Sequence, residues 1–182
     1  MNQRGYKSRR RYEIKNHVRF LTFSCYHRLQ LFNNDAIKTA FLMYLVHSKE
    51  RQQFDLYAWV VMPEHVHLLL RPDLPTHPVS DILQDVKGGF SNLVCGRWRR
   101  KKAPILNRIV DSRGKIHFWQ AGGGYDRNIV GDDELREKFD YIHQNPVRRK
   151  LVDNPLNWHW SSYLVVKGKE VDSPLIADPL PI

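Results

Sequence analysis

The stretch from Phe54 to Arg71 limits what this chain can fold into more than any other part of it. It reads FDLYAWVVMPEHVHLLLR, two runs of aliphatic, β-branched and aromatic residues parted by Pro63-Glu64. Runs of that length and composition are strands, and proline cannot continue a strand ladder. Phe54–Met62 and His65–Arg71 are therefore expected to be the arms of an antiparallel hairpin. Their longest apolar stretches, Ala58–Met62 and Val66–Leu70, fall well short of the ~18 residues that a membrane-spanning helix needs.

The elements around the hairpin follow from periodicity. Val18–Tyr26 (VRFLTFSCY) alternates in part and reads as a first strand. Asn34 or Asp35 caps a helix whose apolar positions Ile37, Ala40, Phe41, Tyr44 and Leu45 recur at helical spacing. A long helix is expected from Val79 to Lys101, with Ile82, Val86, Phe90, Leu93, Val94 and Arg97 on one side. Gly88-Gly89 in its middle costs about 1 kcal/mol per glycine, which predicts a bend or close packing there. Ile116–Gln120 reads as a fourth strand, and Tyr125–Val130 as an extended segment after the turn at Gly122–Gly124. Asp132, Asp133 and Glu134 place acids at the start of a last helix, which Pro146 is expected to stop or kink. Strand, helix, strand, strand, helix, strand and a final helix is the order of an α+β fold: a ferredoxin-like antiparallel sheet with helices on one face and an extra C-terminal helix. The domain is expected over 17–150, with a basic arm at 1–16 and an extension at 151–182 packed on it.

Composition narrows the class of partner. The 182 residues carry 29 Lys+Arg against 19 Asp+Glu, a formal net charge of +10, which suits a polyanion. Aromatics make up 12% of the chain, too many for a disordered polymer. Two cysteines, Cys25 and Cys95, lie far apart in apolar settings and read as reduced core residues, not a disulfide framework. No apolar run follows the charged N-terminus, so the expectation is a cytoplasmic, nucleoid-associated protein. Basic residues cluster at Arg9, Arg10 and Arg11 and again at Arg97, Arg99, Arg100 and Lys101. The second cluster also suits a helix C-terminus.

Two local patterns carry chemistry. His65 and His67 are two apart on a strand, so both imidazoles leave one face while Val66, Leu68 and Leu70 face the other. Such a pair can bind a divalent metal, and is equally the pattern of two hydrogen-bonded strand histidines. On the last helix, Tyr141 and Asn145 are one turn apart on one face. Leu135, Phe139 and Ile142 form a different, core-directed stripe. An amide oxygen one turn from a tyrosine, brought to two strand histidines, would set a metal beside a phenol. In a basic protein that suggests phosphoryl transfer on a nucleic acid strand.

WVVMPEHVHLLL (Trp59–Leu70) and YIHQNPVRRKLV (Tyr141–Val152) resemble the two signatures of the single-tyrosine HUH transposases, and in detail those of the REP-associated tyrosine transposases. FWQAGGGYDRNI (Phe118–Ile129) and WHWSSY (Trp158–Tyr163) are similar to that group as well, so the likeness runs from about Arg19 to Tyr163. The resemblance implies His65 and His67 as metal ligands, Asn145 as a further polar ligand, and Mg²⁺ or Mn²⁺ as the metal. It implies Tyr141 as the nucleophile that becomes bound to a DNA 5′ phosphate and leaves a free 3′ hydroxyl. The implied activity is that of a single-stranded DNA endonuclease and strand transferase, recognising a hairpin beside the cleavage site, in a monomer or homodimer. Arg9–Arg11, Lys87, Arg97, Arg99, Arg100 and Lys101 are the candidate phosphate contacts. Tyr125, Trp98 and Trp119 are candidates for base stacking, Trp119 equally for the core. Two other readings stand beside this one: a binding protein for structured nucleic acid that has lost catalysis, and a metallohydrolase using water without the tyrosine.

Overall fold

The computed structural model describes residues 14–122, 124–169 and 173–182. Strands β1 (Arg19–Ser24), β2 (Asp55–Val61), β3 (His65–Arg71) and β4 (Tyr125–Asn128) form one antiparallel sheet in the order β2-β3-β1-β4. Helix α1 (Asp35–Gln52) links β1 to β2. A continuous helical run links β3 to β4: α2 (Val79–Leu83), a π-helical turn at Gln84–Gly89, and α3 (Phe90–Arg100). A short α4 (Leu106–Ile109) follows, then α5 (Asp132–Arg148) and α6 (Tyr163–Val166) after the sheet. The expected α+β, ferredoxin-like layout is present.

The hairpin β2–β3 pairs Val61 with Val66 at its closed end. A bulge between Leu56 and Ala58 turns both Tyr57 and Ala58 to one face and then restores the alternation. As a result the sheet is apolar on both sides. Leu21, Phe23, Trp59, Val61, Val66, Leu68 and Leu70 face α1 and the α2–α3 run. Phe20, Tyr57, Ala58, Val60 and Leu69 face α5, which buries Leu135 and Ile142 against them. The free edge of β2 is covered by later chain: Val61 N–H donates to Trp160 O at 2.8 Å, and Leu56 N–H to Asp178 Oδ2 at 2.6 Å.

The close packing expected at Gly88-Gly89 is present, and Gly89 provides it. A Cβ on Gly89 would lie 1.7 Å from the Tyr44 hydroxyl of α1, so only glycine permits this approach. The π turn beside it presents Asp85 to Tyr44 (3.2 Å) and Ser48 (2.8 Å).

Two expectations are corrected. Ile116–Gln120 is not the fourth strand. It makes single bridges only, Ile116 with Val110 and Trp119 with Cys25, and its aromatics Phe118 and Trp119 are there to fill the core. The fourth strand is the polar segment Tyr125–Asn128. It is fixed by Arg19, buried at 2% exposure, whose guanidinium donates to Asp126 Oδ1 (2.6 Å) and Asn128 Oδ1 (2.6 Å). Of the stop or kink expected at Pro146, the stop after Asn145 does not occur. The helix continues to Arg148, because Ile142, His143, Asn145 and Pro146 itself are buried and tertiary packing outweighs one missing N–H.

Cys25 and Cys95 are both buried free thiols. Among the described residues no helix is long and apolar enough to cross a membrane.

Candidate active site

One cleft of about 210 Å³ gathers Thr22, Ser24, Arg28, Glu64, His65, His67, Tyr141, Asn145 and Arg149. Its floor is the α5-facing side of β1 and β3. Antiparallel pairing sets Ser24 opposite His65 and Thr22 opposite His67, so all four side chains leave the same face. Its wall is α5, where Tyr141 and Asn145 share one face as their spacing predicts.

The imidazoles are held from behind. Glu64 Oε1 lies 3.1 Å from His65 Nδ1; a carboxylate only accepts, so Nδ1 carries the proton and Nε2 keeps its lone pair. Thr22 Oγ1 lies 2.7 Å from His67 Nδ1. The two Nε2 atoms face each other at 3.0 Å, and the Asn145 amide meets His67 Nε2 at 3.0 Å. Burial keeps His67 neutral, its pKa pushed down to about 3, with the neighbouring His65 adding to the effect. Burial lowers His65 as well, opposed by Glu64.

This donor set fits a cation. His67 Nε2 has two neighbours that ask opposite things of it, a lone pair on His65 and an N–H on Asn145. Asn145 Oδ1 meanwhile is buried with no hydrogen-bond partner. Oxygen and nitrogen of an amide are distinguished only by their network. Turning the amide brings Oδ1 to the imidazoles, and three lone pairs then converge with both Nδ1–H groups satisfied by Thr22 and Glu64. Among the described residues there is no cluster of three His, Cys, Asp or Glu that could hold a metal ion, and the amide oxygen is the buried, unpartnered donor beside the two imidazoles.

Tyr141 is half-buried. Its ring meets His67 edge-on at 5.5 Å and Phe20 at 5.9 Å, and the Arg148 guanidinium lies 4.8 Å from its centre. Arg149 donates to Glu64 Oε1 at 2.8 Å, tying the end of α5 to the residue that orients His65.

The structure thus brings His65, His67, Tyr141 and Asn145 together, and sets Tyr125 nearby, exposed, with its ring 5.9 Å from Phe20. It does not bring the basic residues there. Arg97, Arg99, Arg100 and Lys101 are exposed at the end of α3, on the other side of the sheet. Lys87 donates to Gly122 O at 2.9 Å, bracing the loop before β4. Trp98 stacks on Phe118, and Trp119 is core at 7% exposure. Arg9, Arg10 and Arg11 lie outside the described residues. Thr22, Arg28 and Arg149 escape the sequence reading. Cross-strand register alone reveals Thr22, and nothing in the local pattern marks the arginines.

Comparison with known proteins gives the family and the fold. Residues 11–145 match the family described as "Transposase IS200 like". A REP-associated tyrosine transposase of Escherichia coli (strain K12) is 27% identical over 157 residues, covering 85% of this chain and 81% of that protein. The solved structure of a REP-associated tyrosine transposase bound to a REP hairpin shares the fold, with a TM-score of 0.70 at 23% identity over 97% of this chain and 96% of that one.

Proposed function

This chain belongs to the IS200-like transposase family, and from that premise we propose that it is a metal-dependent endonuclease and strand transferase of single-stranded DNA, acting through a covalent 5′-phosphotyrosine on Tyr141. One observation carries the reading: His67 and Asn145, 78 positions apart in the chain, meet at 3.0 Å beside the tyrosine ring.

In the proposed reaction the Tyr141 hydroxyl oxygen attacks the scissile phosphorus. The bond from phosphorus to the 3′ oxygen breaks, and the phenolic proton ends on the departing 3′ hydroxyl. A divalent ion, Mg²⁺ or Mn²⁺, held by His65, His67 and Asn145 Oδ1, would polarise a phosphate oxygen and stabilise the charge that develops on it. Thr22 and Glu64 keep the Nε2 lone pairs aimed at one point. Phe20 and Arg148 restrict the tyrosine ring to the cleft mouth. Tyr125, exposed beside Phe20, would stack on a base flanking the scissile phosphate.

The partner is single-stranded DNA bearing a hairpin, in keeping with the ligand of the solved REP-associated relative. Arg97, Arg99, Arg100 and Lys101 are assigned to its backbone, with Arg9–Arg11 as a second basic segment. Neutralising the α3 cluster should flatten the salt dependence of binding, by about 0.7 in slope for every phosphate the cluster engages.

Incubation with Mn²⁺ and hairpin oligonucleotides copied from the flanks of its own gene tests the proposal. The expected product is a protein–DNA band that survives denaturing electrophoresis. Binding without that band would favour a non-catalytic hairpin protein, and cleavage that survives Tyr141→Phe would favour a water-using hydrolase.

A further inference from the structure

Two guanidinium groups line the cleft, and they are not equivalent. Arg149 is committed to Glu64 at 2.8 Å. The Arg28 side chain has no hydrogen bond or ion pair with the described residues, although it lines the same cleft as Tyr141 and both imidazoles.

The backbone that presents Arg28 is unusual. His27 and Arg28 are successive non-glycine residues in the left-handed region, at φ 50 and φ 54. Such a conformation is strained for side chains with a Cβ and persists only where surrounding bonds over-determine it. Here they do. Arg28 N–H donates to Cys25 O at 3.0 Å, Leu29 N–H to Tyr26 O at 3.0 Å, and His27 N–H to Gln120 Oε1 at 3.1 Å. Cys25 N–H in turn donates to Glu64 O at 2.8 Å, next to His65. The turn is bolted to the start of β3, so the Arg28 backbone keeps a fixed relation to the imidazoles and its side chain starts from the cleft rim. A glycine would adopt this turn without strain; the chain keeps an arginine.

We infer that Arg28 is a catalytic residue: its guanidinium binds the non-bridging oxygens of the scissile phosphodiester and holds them through attack by Tyr141. The inference rests on the phosphotyrosine reading. As the bond from Tyr141 to phosphorus forms and the bond to the 3′ oxygen breaks, negative charge builds on the equatorial oxygens. A planar guanidinium matches two such oxygens at once, which a lysine ammonium does not. Arg149 spends one N–H on Glu64 Oε1, which orients His65, whereas the Arg28 side chain makes no hydrogen bond among the described residues and has all its donors for phosphate oxygens.

The test compares wild type, Arg28→Gly, Arg28→Lys and Arg108→Ala in single-turnover adduct formation with Mn²⁺ and the gene-flank hairpin oligonucleotides. Arg108 is exposed and outside the cleft. Arg28→Gly should lower the adduct rate on the order of 10²–10³-fold, the usual cost of removing one donor to a developing oxyanion. Hairpin affinity should change by less than about threefold, since the other basic residues still hold the backbone. Arg28→Gly should also melt at or above the wild-type temperature, because it removes a strained Cβ. Arg28→Lys should recover part of the rate, and Arg108→Ala should match wild type. An Arg28→Gly rate near wild type overturns the inference, as does a rate loss fully accounted for by weaker hairpin binding. A wild type that forms no adduct overturns the phosphotyrosine reading, and this inference with it.

Discussion

The two faces of the sheet are made from alternate residues of the same strands, yet they serve opposite ends. On the side of α1 and α3, Phe23, Phe32, Phe41, Phe90, Phe118 and Trp119 interlock ring against ring, with centroids between 4.7 and 6.5 Å apart. On the side of α5 the apolar layer, which includes Phe20 of β1 and Leu69 of β3, gives way at one end: beside Thr22, Ser24, His65 and His67 the helix delivers Tyr141 and Asn145 to polar side chains. Val66 and Leu68 belong to the first face and His67, between them, to the second. The difference teaches that rigidity and chemistry are divided by the pleat: the dry face holds the strands still so that the wet face can keep an unsatisfied amide oxygen beside two lone pairs.

That division can be broken from either side. On the dry face, Phe90→Ala removes a ring that packs on Phe32, Phe41 and Phe118. It should cost about 3–5 kcal/mol in chemical denaturation. Mn²⁺ affinity of the molecules that remain folded should hardly change.

Within α5, away from the cleft, His143 offers a pH test. It is buried within α5 and shares a hydrogen bond of 2.7 Å with Ser162 Oγ. Burial, with Lys167 adding, lowers its pKa from the ordinary 6.5 to about 4. Above pH 6.5 both folded and unfolded chains are neutral at this position, and its full contribution is present. As pH falls toward 4 the unfolded chain takes up a proton that the folded one refuses. Stability is therefore lost across that window, by roughly 3 kcal/mol from this group at about 1.36 kcal/mol per unit. Comparing melting curves of wild type and His143→Gln from pH 7 to pH 4 isolates the effect; parallel curves would contradict it.

Thr22→Val tests the support behind a proposed ligand. It removes the partner of His67 Nδ1 and nearly preserves shape. Calorimetric titration should find Mn²⁺ affinity about 10–100-fold weaker. The smallest effect on stability belongs to Tyr141→Phe, which should change unfolding free energy by less than about 1.5 kcal/mol, since a single hydroxyl is removed from a half-buried ring.

Much of this is legible in the sequence. The hairpin is visible because Pro63-Glu64 interrupts two strongly apolar runs. The pairing of Tyr141 with Asn145 is visible because helical spacing is local. The fourth strand is not. Tyr125–Asn128 is polar, and its place depends on Arg19, more than a hundred residues away, whereas the aromatics of Phe118 and Trp119 imitate a strand although their role is burial. The run through Pro146 is hidden for a related reason: propensity is local, and the packing that overrides it is not. At the site, the ligand candidates can be read from their own neighbours in sequence. Thr22, Arg28 and Arg149 cannot, because only the β1–β3 register, the turn after β1 and the end of α5 bring them to the cleft.

The central claim is that Tyr141 carries the DNA. Protein incubated with Mn²⁺ and gene-flank hairpin oligonucleotides, then digested with nuclease and trypsin, should yield one nucleotide-bearing peptide. Mass spectrometry should find that peptide to contain Tyr141, with the nucleotide joined through its 5′ phosphate, and Tyr141→Phe should abolish it. A modified peptide carrying Tyr125 instead, or an adduct that persists in Tyr141→Phe, would contradict the account.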